Sequence, residues 1–464
     1  MRPLALLLCV LTALSLAACQ STSAPQARTS RYAPEPFVKI THPEWSRDAV
    51  IYQLNTRQFT PEGTFAAAER ELPRLADMGV DIIWLMPIHP IGEVNRKGTL
   101  GSPYSVKDYR KVNPEFGTLD DLRSFVDAAH DQGLYVILDW VANHTAWDNW
   151  MVEEHPEWYE TDWDGDYRPT PWWDWSDIID LDYSQTDLRE YMAKSMIYWV
   201  RDVGVDGFRA DVAGYVPLDF WEDVRTDLDA IKPVFMLAEW DQRDVHARAF
   251  DATYAWGWKD AAQAVARGEG NAKTFFGYYS GNESAWPEDA MRMVYTANHD
   301  QNSWDGTAPE IYGPAYRAMI VLSFTGEGIP LIYNGQEAFN EKRLEFFEKD
   351  PIVWREHEIE DLFRSLIELK TETSALWNGA AGARMVPVVN SRADEVLSFT
   401  RMDENGGVLV MINMTGNPQS FELVDGPFEG QFRDFETGVT HNLTGPSSFS
   451  LISWGYKVLV RKTE

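Results

Sequence analysis

The chain has 464 residues and a net charge of −31, with a pI near 4.6. That acidity excludes a nucleic-acid partner, because phosphate backbones need a basic footprint. Its two cysteines, Cys9 and Cys19, sit at the amino-terminal end, which excludes disulfides, cysteine metal sites and cysteine nucleophiles from the body of the protein.

Taken in chain order, Arg2 precedes an uncharged apolar run from Pro3 to Leu14 and a small-residue stretch ending at Cys19. The run is shorter than the ~20 apolar residues of a bilayer span and has the layout of an export signal over residues 1–18. Leu16-Ala17-Ala18-Cys19 resembles the bacterial lipobox. This predicts a lipoprotein anchored to the membrane through Cys19 and facing the periplasm or cell surface, with an ordinary signal peptide cut nearby as the alternative. Residues 19–45 are small, polar and proline-containing at first, and read as a flexible tether.

From 46 to 377 short apolar runs alternate with longer amphipathic ones. The runs 49–55, 79–87, 133–141, 205–212, 234–240, 291–300 and 329–337 read as strands buried on both faces, as a parallel sheet covered by helices requires. DATYAWGW (251–258) supplies an eighth. Helices are expected over 65–78, 118–133, 186–204, 218–231, 316–326 and 356–376, with Thr118 as a cap followed by Asp120 and Asp121 in the first turn. Eight β units with helical crossovers predict an α/β fold, a (β/α)8 TIM barrel.

The third crossover is different. Residues 145–184 are rich in Trp, Asp and Pro without a sustained period, and read as a small excursion walling a cleft. Its tryptophans, Trp147, Trp150, Trp158, Trp163, Trp172, Trp173 and Trp175, are candidate sugar platforms or the excursion's own core, in a chain holding 20 Trp, 19 Tyr and 22 Phe. From 378 to 464 alternating runs such as 395–401, 407–414 and 456–462, separated by Gly, Pro and Asn turns, predict a C-terminal antiparallel β-sandwich domain.

The active face of such a barrel lies at the C-terminal strand ends. Four ends carry polar residues: Asp139 with Asn143-His144, Arg209 with Asp211, Glu239, and His299-Asp300. One such end is explained by a salt bridge or loop cap. Four converging on one opening imply a task, because gathered like charges raise one another's pKa and cost stability. Arg209 and Asp211 are two apart and point the same way, so Arg209 is expected to hold Asp211 ionised. Glu239 follows an apolar run, a setting that raises a carboxyl pKa and suits an acid. Asp300 beside His299 suits substrate hydroxyls or a developing positive charge. Asp206, earlier in its strand, reads as structural.

These segments resemble the α-amylase superfamily, glycoside hydrolase family 13, from about Ile51 to Trp377 and more loosely beyond. DWVANH is similar to the family's third-strand motif, GVDGFRAD to the fourth, AEW to the fifth, ANHD to the seventh and YNGQE to the eighth-strand end. The resemblance implies Asp211 as nucleophile with Arg209 as its partner, Glu239 as acid/base and Asp300 as transition-state stabiliser. Tyr104 in GSPYSVKDY, His144, His299 and Trp240 are the expected substrate contacts. It implies a retaining α-glucan hydrolase cleaving α-1,4 bonds in starch-derived or malto-oligosaccharides through a covalent glycosyl-enzyme. The alternatives are cyclomaltodextrinase/neopullulanase-like or α-glucosidase activity, a glucan transglycosylase, and a non-catalytic glucan-binding surface protein.

No cofactor is indicated, since no phosphate loop or dinucleotide fingerprint occurs. Calcium is suggested only by Asn143 and Asp180. Tyr215 stands where many α-amylases carry a calcium-binding His, and two ligands fall short of the six to eight oxygens calcium takes. No protein partner is predicted.

Overall fold

Val-, Ile-, Leu- and aromatic-rich runs form eight short parallel strands, buried almost throughout. They are β1 (Ile51–Leu54), β2 (Ile82–Leu85), β3 (Tyr135–Trp140) and β4 (Gly207–Ala210). β5 (Phe235–Ala238), β6 (Ala252–Tyr254), β7 (Met291–Tyr295) and β8 (Ile329–Tyr333) complete the set. Each pairs with the next, and β8 pairs with β1, so the sheet closes into a barrel. The computed structural model describes residues 35–462. The chain divides into two units, Met1–Pro36 and Phe37–Glu464, and all of these strands belong to the second.

Strand periodicity divides the core in two. Alternate residues fill the barrel, among them Ile51, Trp84, Ile137, Leu237, Met293 and Leu331. Their neighbours Tyr52, Ile83, Val136, Phe208, Met236 and Ile332 pack outward under the helices. Each large apolar side chain so buried contributes ~1.5–3 kcal/mol. Trp45 closes the base, stacking on Tyr135 at 4.0 Å and 11°. Residues 37–45, read from sequence as part of the tether, therefore reach the barrel's underside: Val38 is buried, and His42 Nδ1 lies 2.7 Å from Asp251 Oδ1.

The expected helices stand where the apolar period puts them, Ala272–Ala285 is a helix that the sequence reading did not mark, and two further differences are instructive. The helix expected over 65–78 is two, Phe65–Glu69 and Leu72–Met78, because Pro73 enters at the start of the second turn and cannot continue the first. In 251–258 only Ala252–Tyr254 is strand; Trp256 already opens the helix Trp256–Ala266. Leu119–Asp131 carries the expected cap as a reciprocal capping box between Thr118 and Asp121.

The excursion has more regular structure than its composition suggests. His144–Ala146 pairs antiparallel with Ile178–Asp180, which draws both ends of the insertion to the barrel mouth. After the barrel, two antiparallel sheets enclose a separate apolar layer that includes Leu409, Phe421, Phe432 and Leu459. This is the expected β-sandwich. Arg401 fastens it to the barrel, donating to the carbonyls of Gly326, Trp377 and Ala383 at 2.6, 3.0 and 2.8 Å.

The reading of the chain as a membrane-bound lipoprotein is corrected. Among the described residues no helix is long and apolar enough to cross a membrane; Leu119–Asp131, for one, buries an apolar face and turns a polar face outward. The export signal and Cys19 lie outside the described residues.

One position in β4 permits no side chain. Gly207 has φ +150°, and a Cβ there would come within 1.9 Å of the Phe235 carbonyl oxygen in β5. Gly207→Ala is expected to cost about 2–4 kcal/mol in chemical denaturation; an unchanged midpoint would contradict this account of the β4–β5 seam.

Candidate active site

The barrel brings the four polar strand ends to one mouth. β3 pairs with β4 so that Asp139 lies opposite Arg209, and β4 pairs with β5 two residues before Glu239. The inward parity of Ile137 and Leu237 then carries Asp139 and Glu239 to the same side as Arg209 and Asp211. A cavity of about 500 Å³ opens above them, lined by Asp211, Glu239, Asp300, Tyr104, His144 and His299 among others.

Arg209 lies beneath this cavity and is fully buried. Its Nη1 donates to Asp139 Oδ1 at 2.7 Å and to Asp211 Oδ1 at 2.8 Å. Its Nη2 is 2.9 Å from Glu239 Oε1; this is an ion pair off the line of a hydrogen bond, for Nη2 has no aligned acceptor. Nε donates to Tyr254 Oη at 3.3 Å. One cation thus serves three carboxyl groups, rather than the single partner expected from sequence.

Burial raises the pKa of all three acids. Glu239 is pushed up to about 8, first by burial and then by the nearby charges of Asp211 and Asp300, against the pull of Arg209. Asp211 is also raised by burial, but Arg209 opposes the rise through a direct hydrogen bond. Glu239 is thus raised further than Asp211, which favours the proton on Glu239 and the charge on Asp211. Glu239 has a further tie: the backbone N–H of Val212 donates to its Oε2 at 2.8 Å. Val212 adopts left-handed backbone angles (φ 36°, ψ 48°) to do so. For a β-branched residue that conformation costs of order 1–3 kcal/mol and marks a place where geometry is imposed by the site.

A second network orders the opposite wall. Gln53 Nε2 lies 2.7 Å from His299 Nδ1, His299 Nε2 lies 2.8 Å from Tyr104 Oη, and Tyr104 donates to Asp139 Oδ2 at 3.0 Å. Trp84 Nε1 gives Asp139 Oδ2 another donor at 3.1 Å. With Gln53 donating, the Nδ1 atom accepts and the Nε2 atom carries the ring proton. Burial lowers both His144 and His299 to about 4, so each is a neutral ring. His144 Nε2 is 4.0 Å from Asp211 Oδ2, and His299 Nε2 is 3.4 Å from Asp300 Oδ2. The Tyr104 and His299 rings stack at 5.5 Å and 18°.

Other residues singled out in the sequence, Trp175 excepted, sit apart from the cavity. Asp139 is fully buried under Arg209, Tyr104 and Trp84. Trp240 stands beyond Glu239, with its Nε1 on Gln242 Oε1 at 3.1 Å. Asp206 lies at the barrel base, where it accepts from Val136 N, His130 and Lys232. Glu337 of YNGQE is held by Tyr52 and Arg74 on the outer side of the barrel. Trp175 is the excursion tryptophan that lines the cavity, while Trp158 is buried and stacks on His155. Several lining or supporting groups were not found by sequence reasoning: Gln53, Trp84, Tyr254, Trp304, Phe346 and the Val212 N–H. Gln53 alone left a trace, as a polar side chain in an otherwise apolar strand.

The two suggested calcium ligands do not fit a cation. Asn143 Nδ2 donates to Asp180 Oδ1 at 3.1 Å and to Thr170 Oγ1 at 3.2 Å, and Thr170 Oγ1 donates to the same carboxylate oxygen at 2.5 Å. Asp180 is thus met by neutral donors. Among the described residues no group of three or more His, Cys, Asp or Glu side chains is placed to hold a metal.

Comparison with known proteins places this geometry. A family model described as alpha amylase, catalytic domain, matches residues 52–176 and 158–372. Alpha-amylase MalA of Haloarcula japonica is 29% identical over 431 residues, 86% of this chain and 61% of its own length, so this chain spans about three-fifths of that relative. The crystal structure of the noncanonic maltogenic alpha-amylase AmyB from Thermotoga neapolitana is 31% identical, with a TM-score of 0.82 over 90% of this chain and 99% of that one. An alpha-amylase structure from Lactobacillus plantarum is 30% identical, with a TM-score of 0.80 over the same shares. From the strand-end acids, the closed barrel and these matches, the chain belongs to the α-amylase superfamily, glycoside hydrolase family 13, and is an enzyme of the glycosidase type.

Proposed function

We propose that the enzyme cleaves α-1,4-glucosidic bonds in starch-derived or malto-oligosaccharides with retention, using Asp211 as nucleophile and Glu239 as acid/base. The observation that carries this reading is the shared guanidinium: Arg209 holds Asp211 and Glu239 at one cavity and favours charge on the former. In the first step Asp211 attacks the anomeric carbon while Glu239 gives its proton to the leaving oxygen, so the C–O bond breaks and a glycosyl ester forms on Asp211. In the second step the Glu239 carboxylate takes a proton from water, the water oxygen bonds the anomeric carbon, and Asp211 leaves as a carboxylate. Asp300 and the neutral His299 face the sugar whose charge rises between these states. Relatives named alpha-amylase, and the maltogenic enzyme whose structure covers nine-tenths of this chain, support the α-glucan substrate.

Export through residues 1–18 is part of the proposal. Cell fractionation should find the chain outside the cytoplasm, and uncleaved chain retained in the cytosol would contradict it.

Asp211→Asn is expected to lower turnover of soluble starch by about a thousandfold or more, ~4 kcal/mol of barrier, with the thermal unfolding midpoint nearly unchanged. A variant as fast as the wild type removes Asp211 from this role. The wild-type product should appear first as the α anomer by NMR; a β product would overturn retention.

Glu239 must be protonated for the first step. Its raised pKa predicts that kcat/KM on malto-oligosaccharides falls as pH rises past about 8. Glu239→Gln should abolish that alkaline limb and lose most activity on unactivated glucans. A limb that persists in the variant would assign it to another group.

A further inference from the structure

Loops at the barrel mouth are fastened to one another along one half of its rim. In the segment after β2, Lys97 donates to the Asp174 carbonyl in the excursion, and its Nζ lies 3.7 Å from Asp174 Oδ1 and 3.6 Å from Asp177 Oδ1. Beside it, a Cβ at Gly98 (φ +62°) would fall 2.5 Å from Phe347 Cβ in the segment after β8, so glycine lets these two loops meet. They also share two hydrogen bonds, Leu100 N to the Phe347 carbonyl at 3.1 Å and Thr99 N to Glu348 Oε1 at 2.7 Å. The segment after β8 then joins the one after β7, where Arg343 Nη2 donates to the carbonyls of Ser303 and Trp304 at 2.8 and 2.7 Å. Trp304 leans on Phe346 at 5.4 Å. Gln58, buried just past β1, donates to the carbonyls of Glu345 and Glu348 at 2.9 and 2.8 Å and accepts from Asp350 N at 2.5 Å.

These ties follow the order of the strands. The excursion leaves β3, and β2, β1, β8 and β7 come next in turn around the closed sheet, so the fastened loops make a continuous fence over five neighbouring strands. Six side chains that line the cavity belong to it: Lys97, Asp174, Asp177, Trp304, Phe346 and Phe347. Phe346 stands parallel to Tyr104 at 6.1 Å and 10°, which sets the fence against the ring that bonds Asp139 and His299. The other half of the rim is different. Among the described residues the loops after β5 and β6 give the cavity lining only Glu239, and the turn after β4 only Asp211 and Val212.

The position of Glu239 gives the fence its consequence. In the retaining reading above, on which this inference rests, Glu239 protonates the leaving oxygen, so the departing part of the chain lies on the β5 side, where the rim is open. The sugar that bonds Asp211 then lies toward the fence. Glucan continuing beyond its non-reducing end meets loops that brace one another, and seating an inner stretch of chain would require those ties to break. We propose that the fence makes the enzyme exo-acting: it takes α-glucans by their non-reducing ends and releases a short saccharide, with Phe346, Phe347 and the Lys97 ion pairs determining this specificity. A chain end fits against the fence. An interior segment is refused by steric clash rather than by loss of favourable contacts.

Maltoheptaose compared with maltoheptaose capped by a 4,6-O-ethylidene group on its non-reducing glucose tests this, because a cut in the interior of the chain does not meet the cap. Wild-type kcat/KM is expected to be about a hundredfold lower on the capped chain. Phe347→Ala, and separately Lys97→Ala, which frees the excursion from the loop after β2, should each narrow that ratio about tenfold. Equal wild-type rates on the two chains would overturn the fence while leaving the retaining reading in place. A ratio unmoved in both variants, with unfolding midpoints at the wild-type value, would also overturn it, since the selectivity would then arise elsewhere. A wild-type protein inert toward both chains would overturn the retaining reading, and the fence with it.

Discussion

A single buried guanidinium sets the terms for the rest of the site. Arg209 is removed from water and lies against Asp139, Asp211 and Glu239. An arginine in that position without partners would cost several kcal/mol in lost hydration, and so would each unpaired carboxylate. The pairing makes the cluster tolerable, but one positive charge does not balance three negative ones. The imbalance keeps a proton in the group, and the direct hydrogen bond to Asp211 decides which acid carries it. The protonation that the proposed mechanism needs thus follows from counting charges in a dry space.

The barrel supplies what the charges alone do not, a fixed direction. Inward parity along β3, β4 and β5 lines up Asp139, Arg209, Asp211 and Glu239, and Gly207 lets β4 and β5 approach closely enough for that alignment. The Val212 turn adds a backbone donor to Glu239 at the expense of local strain. On the opposite wall the chain from Gln53 through His299 and Tyr104 to Asp139 links the second network to the first. The stacked Tyr104 and His299 rings are therefore tied to the same carboxylate cluster that Arg209 holds. A change in one network reaches the other within two hydrogen bonds.

Much of this was legible in the sequence, because barrels write their pattern plainly. Runs apolar on both faces, ending in Asp, Arg, Glu or His-Asp, announce parallel strands with a polar mouth, and all eight formed where they were expected. The misses have physical reasons. Pro73 divided a helix that periodicity alone joined, and WGW began a helix because a three-residue strand sufficed to close the sheet at β6. Trp84 and Tyr254 belong to the site only because the barrel closes, bringing Trp84 to Asp139 and Tyr254 to Arg209; nothing local in their strands marks them. The roles of the excursion tryptophans likewise depend on how the insertion folds back. Trp158 and Trp175 come from the same aromatic-rich stretch, yet one is core and the other lines the cavity. For Asn143 and Asp180, sequence position suggested cation ligands, whereas Thr170, in the excursion, completes a set of neutral donors instead.

In the proposed reaction a carboxylate oxygen of Asp211 bonds the sugar while Glu239 gives its proton to the leaving oxygen. The most direct measurement is peptide mapping by mass spectrometry after reaction with an activated fluoro-α-glucoside that forms the glycosyl-enzyme quickly and releases it slowly. One sugar bound to the peptide containing Asp211, and lost again on adding maltose, is the result this structure predicts. A label on Glu239 or Asp300, or turnover of the reagent with no covalent species on any carboxylate, would contradict it.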